Sequence, residues 1–515
     1  MSLLSDVQRN NRLVAVCIAL VCFVMLLPLK VSADDIKMRG CRQGQMPEHI
    51  AARHTVRRAA RRADNVNPYI GKRRQLVVLV SFTDLQFQSD VPLSAWNRLF
   101  NEENYTEKPF CGSIHDYFLA QSYGKFNLTF DLYEIALDES IVKYRSTYSD
   151  DVNSQYLVED IVDSLRTKPI DWSVYDWDDD LNVEQLVIVF PGEGMNTGGG
   201  SNSIWPHQWW MSGHKGSDGQ YKLPLVVSTG DKEYLIDCYC CVPEKYKQVF
   251  GSFGTICHEF SHCFGFPDFY YGSTSYLKYW DLMDSGCWQM DGFCPTGYSA
   301  HERMLMGWLE PVELTEPCTV EGIEALSNAP QAYIIFNDEY GDEFYMVENR
   351  QQTGWDSGLP GSGIIVFHID FDEKIWNYGV PNKPAGQRCS IFHANNKSSV
   401  LYQSDWAYPY EGNDSLTNFS APPAELFHPL ADESLYMSKP ITRMKVVDGL
   451  ASFDFMGGDA TGIEEIKASS DLPMEDNVIQ MVVSPLGDLK GALMNLPCGV
   501  YIIRYRNGVT RKVYW

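Results

Sequence analysis

Two histidines and a glutamate stand at a spacing suited to holding and using a metal ion: His258-Glu259-Phe260-Ser261-His262. On a helix, side chains four apart project from one face, one turn apart. His258 and His262 can therefore grip a single cation through their imidazole nitrogens. Glu259 flanks them, placed to reach a water on that cation without ligating it. Gly265 lets the helix stop, because glycine takes the left-handed conformation at no steric cost. Asp268 follows the turn and can supply a third ligand. Three protein ligands and one open position are the pattern of a catalytic zinc, whereas a structural zinc closes all four. H-E-x-x-H alone also arises by chance in unrelated helices, so the case rests on Gly265, Asp268 and their surroundings.

A second candidate cation site precedes the helix. In Asp176-Trp177-Asp178-Asp179-Asp180-Leu181-Asn182-Val183-Glu184, carboxylates alternate along a tight loop. Asp176, Asp178, Asp180 and Glu184 can converge on a hard cation such as Ca²⁺. Leu181 stands where such loops usually carry Gly, and the missing bidentate Glu at the loop's end excludes an EF-hand. The competing reading is a solvated acidic turn before a strand. Beyond the zinc motif, Met283 sits in the turn Trp280–Gly286. Met is an adaptable core filler, and here it also suits a hydrophobic floor beneath the three zinc ligands. His207, close to Trp209 and Trp210, reads as a packed, hydrogen-bonded histidine rather than a ligand. Among the fourteen cysteines, Cys287 and Cys294 are expected to form a local bridge, as suits an exported chain. Cys238 and Cys241 form a C-x-x-C without a second pair, so a zinc ribbon is not expected.

The elements that must position these groups lie on either side. Gln75–Phe82 is a continuous Val-rich apolar run and reads as a buried strand. Ile114, Tyr117, Phe118 and Gln121 give residues 111–123 a helical period, stopped by Gly124; Lys125–Leu132 then alternates as a strand. Tyr156–Leu165 is an amphipathic helix, and Gln185–Phe190 a strand. The zinc helix spans about Phe253–Phe264, and Ser299–Trp308 is a helix that closes the domain. Short apolar strands separated by Gly, Pro and Asn turns follow, as in a β-sandwich-like module, to about Phe455. Gly457-Gly458 begins a linker. In the tail, Leu496–Tyr505 is a turn and strand, and Asn507-Gly508 is a strong hairpin signal before the returning strand around Val513.

The amino-terminal end differs in kind. Arg9 and Arg12 precede the apolar stretch Leu13–Pro28, and Val31-Ser32-Ala33 offers a cleavage site, so residues 1–33 read as an export signal. The alternative, a membrane anchor, is disfavoured because the apolar stretch falls short of a bilayer span. No later stretch is long enough to cross one. Residues 34–74 are rich in Arg and poor in large apolar side chains, and cannot bury a core. They read as a pro-segment, or else as a basic tail; Cys41 is a candidate thiolate cap on the zinc. The whole chain, 515 residues with a formal net charge of −25, is too long for one ordinary domain. Its acidity argues against a nucleic-acid partner, which requires a basic face.

In this order the motifs resemble the metzincin clan of zinc peptidases, and within it the immune inhibitor A-like peptidases. Carrying the resemblance are Leu76–Phe82, Asp116–Phe118 through Lys125, the Asp176–Glu184 loop, Ile204–His207, the zinc motif with Pro267-Asp268, Asp281–Met283 and Glu302–Leu309. Tyr345–Arg350, Gly354–Asp356, Leu359–Gly363 and Ile364–Asp370 are similar to the β-rich region of the same family. The tail resembles a type IX secretion sorting domain of the Bacteroidetes phylum. The resemblance implies an α+β fold, a metzincin-like zinc peptidase domain with a mixed sheet and a zinc helix, followed by all-β modules. The expected organisation is signal 1–33, pro-segment 34–74, catalytic domain 75–315, β-sandwich-like domain 316–457, and linker with sorting-type domain 458–515. Expected activity is hydrolysis of peptide bonds in protein substrates by metal-activated water. One Zn²⁺ sits on His258, His262 and Asp268, with Glu259 as general base and Met283 in the Met-turn. Tyr298 is the nearest tyrosine after that turn to serve an oxyanion. The protein is expected to be secreted or cell-surface attached, with the secretion machinery as a partner. The alternative is a surface-exposed binding or adhesion protein with a vestigial zinc site. The intact Glu259 speaks against it, because a structural site has no use for the base.

Overall fold

The computed structural model describes residues 42–43, 67–88, 90–145, 153–397, 403–458, 479–483, 489–490, 500–505 and 510–514. The expected export signal and Cys41 lie outside these residues. Strand β1 (Gly71–Ser81) sends Leu76, Val78 and Val80 to one face and Val77 and Leu79 to the other, and all five are buried. An unbroken apolar run encodes a strand covered on both faces. β1 begins before the apolar run. Lys72, Arg73 and Arg74, expected in the pro-segment, pair with Asn127, Leu128 and Thr129 of β2 (Phe126–Ala136). Hydropathy marked only the buried part of the strand.

With β3 (Leu186–Glu193), β4 (His207–Trp210) and β5 (Cys238–Tyr246), the order across this sheet is β2-β1-β3-β5-β4. The first four run parallel, and β4 is antiparallel to β5. Arg42–Gln43 lies parallel along the outer side of β4, with Arg42 opposite His207. Helices α1 (Leu93–Asn101), α2 (Ile114–Gln121), α3 (Ser154–Arg166) and α4 (Phe253–Ser261) cover the sheet. α3 buries Leu157, Val158, Ile161, Val162 and Leu165 against the face of Leu76, Val78 and Val80. The other three helices cover the opposite face. α2 is shorter than the 111–123 expected from the sequence, beginning after Ser113, which forms a capping box with Asp116.

α5 (Ala300–Leu305), capped by Ser299 and Glu302, leads into a second sheet. Its strands β6 (Ala332–Phe336), β7 (Glu343–Arg350) and β8 (Gly363–Asp370) are antiparallel neighbours. One face, with Ile334, Met346, Ile365 and Phe367, belongs to the same core as α1, α2 and α4. The other, with Ile335, Tyr345, Val347 and Val366, packs on a three-stranded sheet of Cys318–Ile323, Leu450–Phe455 and Ile441–Val447. Two sheets thus face each other, and one of them also roofs the helices of the zinc motif. In the tail, Val500–Tyr505 pairs antiparallel with Thr510–Tyr514. Among the described residues no helix is long and apolar enough to cross a membrane.

The expected Cys287–Cys294 bridge does not form. Cys294 is bonded to Cys111, 183 residues away, with Cα atoms 5.3 Å apart. Cys287 stays a thiol, buried and aimed at the carbonyl of Asp284.

Candidate metal centre

α4 is held at both ends. Near its start, Gly254 lies so close to the segment after Met283 that a Cβ there would meet the Cys287 carbonyl oxygen at 1.8 Å. At its end, His262 opens a 3-10 turn and Gly265 takes φ 86°, the stop expected from the sequence. His258 and His262 remain on one face, ring centroids 4.9 Å apart. The chain then returns and brings Asp268 Oδ1 to 3.1 Å from His258 Nε2 and 3.5 Å from His262 Nε2. One donor atom from each of the three residues lies within 4.8 Å of the others, and all three side chains are buried.

The ring orientations fit a cation. His258 Nδ1 lies 3.0 Å from the Leu282 carbonyl oxygen, and His262 Nδ1 lies 2.7 Å from that of Phe266. With Nδ1–H donated to those carbonyls, each Nε2 presents its lone pair to the shared point. Both Nε2 atoms are buried and make no hydrogen bond within the protein, a costly arrangement unless a ligand completes it. Burial drives His262 down to about 4. Burial also opposes charge on His258, but the neighbouring Asp268 and Cys287 outweigh it and push that imidazole up. A cation at the shared point would take the place of that proton. Glu259 is fully buried beside the ligands, its Oε2 4.0 Å from His262 Nε2.

Met283 is buried in the same core. Its turn acts on the site through backbone atoms: the Leu282 carbonyl orients His258, and the Met283 carbonyl accepts the Phe269 N–H at 2.9 Å, next to Asp268. Asp281 shapes the turn by accepting the Met283 N–H at 2.8 Å. Sequence reasoning missed Cys287, a buried thiol close enough to His258 to raise its imidazole. It also missed Tyr270, whose ring lies 6.3 Å from that of His258 at 27°. Tyr298, expected near the metal, is fully buried and hydrogen-bonded to Ser261. Its ring packs on Phe266 and Trp308 on the core side. His207 behaves as expected, with Nδ1 2.7 Å from the Trp205 carbonyl oxygen and Nε2 3.3 Å from the Tyr239 hydroxyl.

In the acidic loop, Asp176, Asp178 and Asp180 each bring a carboxylate oxygen within 4.8 Å of the others. Asp176 also accepts the Asp180 and Leu181 N–H groups, which curls the loop. Glu184 is not in that group; its Oε2 accepts the Trp177 N–H at 2.8 Å. Leu181 takes φ 65°, the conformation for which such loops use Gly. Burial raises the Asp176 carboxyl. Asn182 adds a buried Oδ1 with no hydrogen-bond partner. Just beyond, Gln185 donates to the Phe260 carbonyl at 3.3 Å, linking the loop to α4.

Residues 171–307, which hold the acidic loop, α4, Asp268 and Met283, match the family described as Immune inhibitor A peptidase M6, catalytic domain. The chain is also similar to the pre-pro-metalloprotease PrtV of Vibrio cholerae serotype O1, from strains M66-2 and ATCC 39315 / El Tor Inaba N16961. In each case it is 26% identical over 259 residues, 44% of this chain. The chain spans 27% of the length of those curated relatives.

Proposed function

We propose that this chain is an exported zinc metalloendopeptidase that hydrolyses peptide bonds of protein substrates. The observation that carries the reading is the convergence of His258, His262 and Asp268 on one point, beside the buried carboxylate of Glu259. The family match over residues 171–307 and the likeness to PrtV support it. When bound there, zinc supplies a Lewis acid that polarises the scissile carbonyl and makes water acidic enough to attack near neutral pH. Glu259 takes the proton of the attacking water and delivers it to the leaving nitrogen. The carbonyls of Leu282 and Phe266 keep both imidazoles in the tautomer that ligates through Nε2.

Two accessory readings accompany this one. The Asp176–Asp180 loop takes a structural Ca²⁺ that stiffens the approach to β3 and α4. The stretch around Arg42–Gln43 keeps the enzyme latent until residues up to about Ile70 are removed. Its pairing along β4 supports this, because an extended peptide substrate can use a free sheet edge in the same way. The tail, with its antiparallel closing strands, directs export by the type IX route.

The deciding experiment is the Glu259→Gln variant. Casein hydrolysis should fall by about 10²- to 10⁴-fold while zinc content stays at the wild-type level. Full activity in that variant, or hydrolysis by the wild type that survives chelation, would refute the assignment.

A further inference from the structure

The disulfide between Cys111 and Cys294 is covered on one side only. Cys294 is fully buried, whereas Cys111 is exposed. Among the other described cysteines, Cys263 and Cys318 are half-buried and the rest are buried. Cys111 also lines a cavity of about 350 Å³, with Tyr105, Phe110 and Trp355 as apolar walls and the exposed Lys108 as a cation. A small molecule that enters this cavity meets the Cys111 end of the bond and not the Cys294 end.

The bond closes a joint behind the metal site. Residues 285–296 follow the Met283 turn and fold back on themselves: the Gly286 N–H bonds the Asp281 carbonyl at 2.9 Å, and the Thr296 N–H bonds the Gly286 carbonyl at 3.1 Å. Within this segment the Cys287 carbonyl seats Gly254 of α4. Its outer end is tied by Cys294 to Cys111, just ahead of the Ser113 cap of α2. The backbone bond alongside, from the Cys111 N–H to the Phe293 carbonyl, is long at 3.4 Å. The cavity walls reach α4 as well. Trp355 stacks on Phe253, its first residue, with centroids 5.6 Å apart, and Phe110 lies 6.0 Å from the same ring.

We propose that Cys111–Cys294 is a thiol-sensitive latch on the seat of α4, cut by a small thiol that enters this cavity. The thiolate attacks Cys111 Sγ, and a new sulfur–sulfur bond forms between them. The Cys111–Cys294 bond breaks, its electron pair leaves on Cys294 Sγ, and that sulfur takes up a proton to replace the one the thiol lost. The Ser357 hydroxyl, 3.8 Å from Cys294 Sγ, donates toward the departing sulfur. Lys108 favours the anionic form of the attacking thiol. Once the bond is cut, the outer end of 285–296 is released and α4 loses part of its seat. The loss of activity that follows rests on the peptidase reading above; the sulfur chemistry does not.

The test treats the processed, zinc-loaded enzyme with glutathione, beside the Cys111→Ser/Cys294→Ser double variant. Cysteines are mapped by mass, zinc is quantified, hydrogen exchange is followed over residues 285–296, and kcat/KM is measured on a fluorogenic peptide. Early in the reaction glutathione should sit on Cys111 with Cys294 a free thiol, zinc content should hold, and exchange in 285–296 should quicken. kcat/KM should fall about tenfold, inside the ~10²-fold that a small misplacement of catalytic groups costs. The double variant should start at that lower value and ignore glutathione. An intact bond, glutathione found first on Cys294, or unchanged exchange and activity after cleavage would overturn the proposal. So would an equal response of the double variant, which would place the thiol's action at the zinc. If that variant does not fold, mapping, exchange and activity on wild type still decide. An untreated enzyme without peptidase activity would refute the peptidase reading instead, and mapping with exchange would still decide the latch.

Discussion

His301 on α5 is buried, and neither of its ring nitrogens has a hydrogen-bond partner. It is boxed by the rings of Phe344, Phe371 and Trp376, at 5.6, 5.7 and 5.9 Å. Burial pushes it down to about 3, from 6.5. In that interval the unfolded chain binds a proton that the folded chain refuses, so stability rises with pH there and falls on acidification. The loss begins as pH drops through the unfolded value and is complete only below the folded one. Each pH unit inside the window is worth about 1.4 kcal/mol, so moving from neutrality to about pH 5 should cost about 2 kcal/mol through this one side chain. His301→Leu removes the titration and keeps an apolar occupant in the box. Urea unfolding of wild type and variant across a pH series should give free energies that diverge by that amount at about pH 5. Any fixed offset from repacking appears equally at neutral pH and cancels. Parallel pH profiles would refute the reasoning, because they would mean that the folded protein accepts the proton.

Two further outcomes follow from the same structure. Arg350 is fully buried, with both carboxylate oxygens of Asp356 at 2.8 and 2.9 Å and Glu348 Oε1 at 3.0 Å. Arg350→Ala leaves two buried carboxylates without their cation and should lower the unfolding free energy by about 3–5 kcal/mol; a loss below about 1 kcal/mol would mean that water reaches the pair. Leu181→Gly should relieve the left-handed backbone at φ 65° by about 1 kcal/mol and tighten Ca²⁺ about fivefold. Terbium luminescence sensitised by Trp177, competed with Ca²⁺, measures this. Absence of any terbium signal in wild type would rule out the calcium reading.

The features that one stretch of chain encodes by itself were legible before any coordinates. The i, i+4 spacing placed His258 and His262 on one helical face, and Gly265 ended that helix where a left-handed residue was needed. The apolar run from Leu76 marked a strand buried on both sides, and the segments 111–123 and Ser299–Trp308 contained the helices α2 and α5. The acidic loop curled as its alternating carboxylates required, except that Glu184 turned to a backbone N–H. In each case the information is a period, a cap or a turn, which depends on neighbours within a few residues.

Tertiary packing decided the rest. Cys294 took Cys111 rather than the nearby Cys287, because the fold brought the distant cysteine within bonding distance and turned the near one to the Asp284 carbonyl. Tyr298, in the expected register after the Met-turn, pointed into the core, while Tyr270 came to lie beside His258. The orientation of His258 depends on the carbonyl of Leu282, 24 residues away, and every backbone residue carries such a carbonyl, so no residue type announces it. The β-rich region shares a core with α4 because β6, β7 and β8 bury both faces. The types and spacing of the ligands are written locally; the partners that orient them are chosen by long-range packing, in which many residues compete for the same contact and only the assembled fold selects one.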